Sequence, residues 1–115
     1  MTHITEDQLE QAALDWFRAL GYQVAFGPDI APPPDGVAPE RDNYRQTILI
    51  ERLKTRLQAI NPAIPGAAID DAIRQILAPN LPTVIQVNWQ FHRWLRDGVK
   101  VQYQRGNETV GDLVC

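Results

Sequence analysis

The sequence contains no serine, which excludes a Ser-His-Asp hydrolase outright. It has one cysteine, Cys115, at the last position. No disulfide can form within one chain, and a terminal thiol is poorly placed to be held as a nucleophile. His92 has no second His or Cys at ligand spacing, so nothing here resembles a zinc site. Long apolar runs are missing too, and none approaches the roughly 20 residues that span a bilayer. Met1-Thr2-His3-Ile4 lacks the basic-then-apolar order of a secretory signal. These absences lead to the expectation of a soluble, cytoplasmic protein with no membrane contact. The phosphate-binding GxxxxGK[ST], the dinucleotide GxGxxG, HExxH and GxSxG are all absent.

What is present reads as an ordinary globular chain. Its 115 residues suffice for one small domain with a core of its own. Hydrophobic residues make up 44% and charged residues 22%. The net charge of −3 argues against binding nucleic acid by bulk electrostatics alone. Basic residues do cluster locally, at Arg41, Arg45, Arg52, Lys54 and Arg56 and again at Arg93, Arg96, Lys100 and Arg105. Such clusters are either solvated helix faces or a phosphate-contacting surface.

The best-defined stretch runs from Thr5 to Pro32. Thr5 with Gln8 makes a capping box. Leu9, Ala12, Ala13, Trp16, Phe17 and Leu20 recur on one helical face, expected to be buried. Gly21 suits a left-handed helix end, and Tyr22–Phe26 alternates like a short strand that Gly27-Pro28 stops. Glu10 lies beside the apolar stripe, next to Ala13, Leu14 and Phe17. A proline-rich loop follows from Ala31 to Pro39, suited to wrapping a surface or to docking as polyproline.

Asp42 or Asn43 is expected to cap a second helix running to about Ile60, with Leu49, Leu53, Leu57 and Ile60 inward. Ile69, Ala72, Ile73, Ile76 and Leu77 define a third helix, stopped by Pro79. Asp70 and Asp71 are adjacent, so they cannot share a helical face as a metal-binding pair. A fourth helix spans Thr83 to about Asp97. Val84, Val87, Asn88, Phe91 and Leu95 follow one side of it, while Trp89 and Trp94 fall elsewhere, so contact from more than one side is expected. Gly98 ends it. Val99–Tyr103, a turn at Arg105–Glu108 and a return from Thr109 to Cys115 make a β-hairpin. The class expected is α+β: a capped helix and short strand, three further helices as an appended bundle, and a C-terminal hairpin.

Four blocks in order resemble the N-terminal region of the R (restriction and translocation) subunit of type I restriction enzymes. They are TEDQLEQAALDWFRALGYQVAFGPDIAP, PERDNYRQTILIERLKTRLQAINPAIP, NWQFHRWLRDGVKVQYQ and Gly111-Asp112. The matching positions include Glu40-Arg41, Tyr44, Arg52-Leu53, Asn61-Pro62, Asn88, Phe91, His92, Leu95 and Gly98-Val99. The likeness covers essentially all of the chain. It implies that residues 1–115 are one partial, restriction-endonuclease-like domain of a larger subunit.

The resemblance further implies Mg²⁺- and ATP-dependent cleavage of unmodified DNA, alongside modification and specificity subunits. The nuclease motif of that family, an Asp and a Glu-x-Lys on sheet strands, is missing: no Lys stands two residues after any Asp or Glu. The chain by itself is therefore expected to be inactive and to hold neither Mg²⁺ nor ATP. In this nuclease class the first helix often adds a metal-assisting carboxylate, and Glu10 occupies the matching position; the alternative is that it only borders the core. Arg52, Arg56, Arg93 and Arg96 are the candidates for touching DNA. A second reading makes the chain a non-catalytic helical module that packs on a motor or partner subunit.

Overall fold

Ala68, Ile69, Ala72 and Ile73 recur on one side of a helix, and that side is the most deeply buried in the chain. The structure, a computed structural model, describes residues 3–115. The first two positions of the expected 1–115 domain lie outside the described residues. The chain forms two compact units, one up to Arg45 and one over Gln46–Cys115. In order, the elements are α1 (Glu6–Ala19), α2 (Gly27–Ile30), α3 (Ile50–Ile60), α4 (Gly66–Leu77), α5 (Val84–Asp97), β1 (Val99–Arg105) and β2 (Glu108–Val114). Among the described residues, five helices and one two-stranded antiparallel sheet make an α+β fold, as expected.

The second unit is built around α4. Pro65 stands at its N-cap, and Ala78 ends it just before Pro79. Its apolar side covers one face of the hairpin, where Val99, Val101 and Val114 are buried with it. The strands pair from Val99↔Val114 to Arg105↔Glu108, so only Gly106 and Asn107 remain for the turn. Alternation along β1 sends Val99 and Val101 inward and Lys100 and Gln102 outward. Ile69 is fully buried, at 0% exposure; burial of a side chain that size contributes about 1.5–3 kcal/mol. Leu53 and Leu57 of α3 and Trp94 of α5 pack against the same cluster. The Lys54 ammonium meets the Asp70 carboxylate at 2.8 Å across α3 and α4. That hydrogen bond and charge hold the lysine above its ordinary range.

Two expectations for this unit need correction. The helix predicted from Asp42 or Asn43 begins only at Ile50, with Leu49 at its N-cap and no side-chain cap. The Asn43 Oδ1 instead accepts the Arg45 N–H at 2.9 Å, a local turn that competes with helix capping. The helices pack as an appended group on the hairpin, with α4 lying directly on β1 as well as on α3. On α5, Val87 and Phe91 of the expected side are half-buried, but Leu95 is exposed and Trp94 packs against the core in its place.

In the first unit the ends of α1 follow the sequence closely. The Thr5 hydroxyl accepts the Gln8 N–H at 3.2 Å, and the Gln8 side chain accepts the Thr5 N–H at 3.1 Å. At the other end Gly21 takes φ 90, left-handed backbone where a Cβ is disfavoured. The Tyr22 N–H reaches the Phe17 carbonyl, and the Gly21 N–H that of Arg18, both at 3.0 Å. Their rings meet edge-on at 5.5 Å, which completes a Schellman motif with its apolar contact. The strand expected at Tyr22–Phe26 does not form: a strand needs a ladder partner, and among the described residues the sheet contains only β1 and β2. Gly27-Pro28, read as its stop, instead opens the short α2, with proline in its first turn.

The Leu9-Trp16-Phe17-Leu20 stripe is not buried either; Trp16 is 69% exposed, and α1 has no buried residue. The unit offers only the four-residue α2 and the loop beyond it, too little apolar surface to cover that face. The loop folds back through Ala38 N–H to Asp29 O at 2.8 Å and Glu40 N–H to Ile30 O at 3.2 Å. The Pro33–Pro34 bond is cis.

Gly98 gives a direct test of the helix-to-hairpin junction. Its backbone has φ 86 and ψ 170, and an added Cβ would lie 3.0 Å from the Val114 carbonyl oxygen. Gly98→Ala should destabilise the chain by about 1–3 kcal/mol. Gly111→Ala, which meets nothing within 4 Å, should stay within about 0.5 kcal/mol. Urea denaturation of the two variants checks the contrast.

Candidate functional site

The charge-bearing helices α3 and α5 belong to the second unit, and the two units differ in charge. The segment through Arg45 has eight Asp and Glu against three Arg; the remainder has eight Lys and Arg against six Asp and Glu. No acidic residue occurs between Ala72 and Arg96. A surface able to meet a polyanion is therefore to be sought on the second unit.

Thr83 caps α5, its hydroxyl accepting the Gln86 N–H at 3.2 Å. Trp94 anchors the helix to the core, with Phe91 edge-on to it at 5.4 Å. Ile85, Trp89, His92 and Arg96 recur at i, i+4, i+7 and i+11 on the opposite, exposed side. The Trp89 and His92 rings stack there at 5.4 Å, 26° from parallel. Ile85 is 81% exposed and Leu95 89%.

The four arginines suggested by the sequence differ in availability. Arg96 is held in a fork: Nε and Nη2 each donate to one oxygen of Asp97, both at 2.8 Å. The hydrogen bond from Arg96 holds the Asp97 carboxyl below its ordinary range, and the charges of Arg96, Arg93 and His92 act the same way. The same bond raises Arg96. Arg93 makes no hydrogen bond or ion pair among the described residues, and with Gln75, Gln90, Trp94, Asp97 and Lys100 it lines a groove of about 560 Å³. Arg52 and Arg56 are exposed one turn apart on α3, outside that groove. Arg52 is not without a partner. Arg93 and Arg56 are thus the two of the four without a hydrogen bond or ion pair among the described residues, and Arg93 is the one that lines the groove.

No carboxylate cluster forms alongside these cations. Glu10 is exposed on α1. Asp70 is taken by Lys54, and Asp71 by Arg74 at 3.3 Å and Gln75 at 3.2 Å. Among the described residues no three His, Cys, Asp or Glu side chains come together to hold a metal ion.

Sequence reasoning missed two carboxamides. The Gln75 Nε2 donates to the Lys100 carbonyl at 2.9 Å. The Asn61 carboxamide makes two hydrogen bonds to the main chain of Cys115, 54 positions away. No local pattern announces such contacts, because each joins elements that only tertiary folding brings together.

These features define an α+β segment with a basic, partly apolar helix face and no metal cluster among its described residues. The chain belongs to the family described as the type I restriction enzyme R protein N terminus, whose sequence profile matches residues 3–114. It is 26% identical over 111 residues to the type I restriction enzyme HindI endonuclease subunit of Haemophilus influenzae. That alignment covers 96% of this chain and 10% of the relative, so the chain spans about a tenth of that protein's length. No solved structure matches the chain. None of its described helices is long and apolar enough to cross a membrane.

The Arg96–Asp97 fork has a measurable signature. In an NMR titration the Asp97 carboxyl should titrate below an ordinary aspartate, and Arg96→Gln should move its midpoint upward. A folded-state pKa below the unfolded value means that the stabilisation is present above the unfolded pKa and lost as pH falls through the folded one. An unchanged Asp97 midpoint in Arg96→Gln would remove the fork as its cause.

Proposed function

We propose that the chain acts as the N-terminal segment of a type I restriction R subunit, contributing to ATP- and Mg²⁺-dependent endonucleolytic cleavage of unmodified DNA. The family match over residues 3–114 carries this reading. The activity is that of a type I site-specific deoxyribonuclease, exercised in the cytoplasm with modification and specificity subunits. Base readout falls to another subunit, so this segment contacts DNA, if anywhere, through backbone phosphates.

The described residues do not fit a complete Mg²⁺ site, since Glu10 is an exposed carboxylate that belongs to no group of three His, Cys, Asp or Glu side chains able to hold a metal ion. Any metal-assisting role for Glu10 therefore depends on ligands supplied by other chain, and the 115 residues alone are inactive. The exposed apolar faces of α1 and α5 support the second reading, an interaction module that packs on a motor or partner subunit.

A Glu10→Gln substitution in the R subunit separates the two. The metal-assisting role predicts cleavage reduced about ten- to a hundredfold, with ATPase activity retained. Normal cleavage removes Glu10 from the nuclease centre and favours the packing role, and joint loss of cleavage and ATPase points to misfolding. The 115-residue chain assayed beside it should not nick plasmid.

DNA binding by this segment should be weak and should fall as salt rises. Arg93→Ala should reduce the slope of log affinity against log salt by roughly one, as expected for loss of one phosphate contact. Arg96→Ala should change it much less, because Asp97 already holds that guanidinium. Fluorescence anisotropy on a labelled duplex at several salt concentrations measures both; equal slopes for the two variants would reject the ranking.

A further inference from the structure

Two grooves along α5 share a wall. The first, of about 560 Å³, takes in Trp94 and Lys100; the second, of about 270 Å³, takes in Ile85 and Trp89. Leu81, Gln90 and Arg93 line both. Successive helical positions turn by about 100°, which sets Arg93 and Gln90 between Trp89 and Trp94 around the helix. The strip therefore runs aromatic, cation, carboxamide, aromatic.

The polar groups of this strip are unspent. Among the described residues the side chains of Asn80, Gln90, Arg93 and Lys100, all lining the first groove, make no hydrogen bond or ion pair. The carboxylate that lines it is Asp97, and both its oxygens already accept from Arg96. Arg93, Arg96 and Lys100 against Asp97 leave the strip positive and rich in donors. Its aromatic members are open to a ligand in different degrees. Trp94 is half-buried and lines the groove with the part that does not meet the core. Trp89 is 59% exposed, with His92 stacked on it.

We propose that this strip binds an unpaired strand of DNA, with phosphates on Arg93 and Lys100 and bases against Trp89 and Trp94. The choice of DNA rests on the reading of the chain as part of an R subunit. A cationic groove interleaved with aromatic side chains is the general form of a single-strand site, because every base offers a π face whatever the sequence. Such stacking goes beyond the phosphate contacts above without reading any base. A duplex fits the strip poorly. Trp89 and Trp94 lie about 7.5 Å apart along the helix axis, whereas neighbouring bases of a duplex strand are about 3.4 Å apart and stacked on one another. Only a strand whose bases are free reaches both rings. Arg93 and Lys100 are also few cations for a duplex surface. On a chain of net charge −3, stacking must supply most of the affinity.

The test is fluorescence anisotropy of the 115-residue chain with a labelled oligothymidylate and a labelled duplex of equal length, at several salt concentrations. The single strand should bind about tenfold more tightly than the duplex, a comparison that needs no variant. Trp89→Leu should weaken strand binding about tenfold and leave its salt slope unchanged, since a stacked base carries no charge. Lys100→Ala should lower the slope by roughly 0.7, the share of one phosphate on a single strand. Arg105→Ala removes a cation outside both grooves and should do neither. Far-UV circular dichroism of each variant separates loss of binding from loss of fold. Duplex bound as tightly as the strand, no strand binding at all, or strand affinity untouched by Trp89→Leu would overturn the proposal. Oligouridylate bound more tightly than oligothymidylate would overturn the assignment to DNA. Cleavage by the assembled enzyme is measured separately. Strand binding without cleavage refutes the functional reading and leaves the strip standing; cleavage without strand preference does the reverse.

Discussion

The contact of α4 with the inner face of the hairpin is the interaction on which the second unit depends. A two-stranded hairpin has little to hold it in water, since one face at least must find apolar cover. Here Val99, Val101 and Val114 find it on Ile69 and Ile73. The small side chains of Ala68 and Ala72 on the same buried side let the helix backbone come close to the strands. Everything else in the unit leans on that contact: Leu53 and Leu57 bring in α3, and Trp94 brings in α5. The chain turns from α5 into β1 through Gly98, whose backbone conformation is available almost only to glycine.

Polar side chains then finish what apolar burial begins. Asn61 and Gln75 use their carboxamides as short stand-ins for a neighbouring strand, each giving a main-chain group of the hairpin the partner it otherwise lacks. Each such bond contributes only about 0.5–1.5 kcal/mol net. Their larger consequence is positional, because Gln75 ties α4 to β1 and Asn61 ties the end of α3 to the residue that follows β2. In the same way the Asp97 fork makes Arg96 a poor phosphate ligand while Arg93, one turn earlier, remains available. Which cation can act is decided by what its neighbours have already occupied.

The exposed apolar faces connect this architecture to membership of the R-subunit family. Helix α5 presents Val84, Ile85, Trp89 and Leu95 to solvent while Trp94 faces inward, so apolar side chains lie on its exposed side as well as its inner one. Helices of that kind are normally covered on several sides. The α1 stripe is exposed in the same manner. Exposed apolar faces of this extent are surfaces suited to contact with other protein.

Features governed by neighbours in the chain were legible from the sequence. The Thr5–Gln8 box, the Gly21 exit, the Ile69-Ala72-Ile73 face, the start of α5 at Thr83 and the hairpin with its turn all formed where local pattern placed them, because each depends on residues within a few positions of one another. The family resemblance was legible for the same reason, through short blocks in a fixed order. Tertiary structure decided the rest. Tyr22–Phe26 alternates as a strand should, but a strand exists only if another lies beside it. Asn43 suits a helix cap but bonds its own backbone. The apolar stripe of α1 is amphipathic by sequence, yet burial requires a surface to meet, and its unit supplies none. The choice between Arg93 and Arg96, and the closing of β2 by a residue 54 positions away, are properties of contacts between distant parts of the chain. Periodicity and spacing describe one element at a time and carry no information about such contacts.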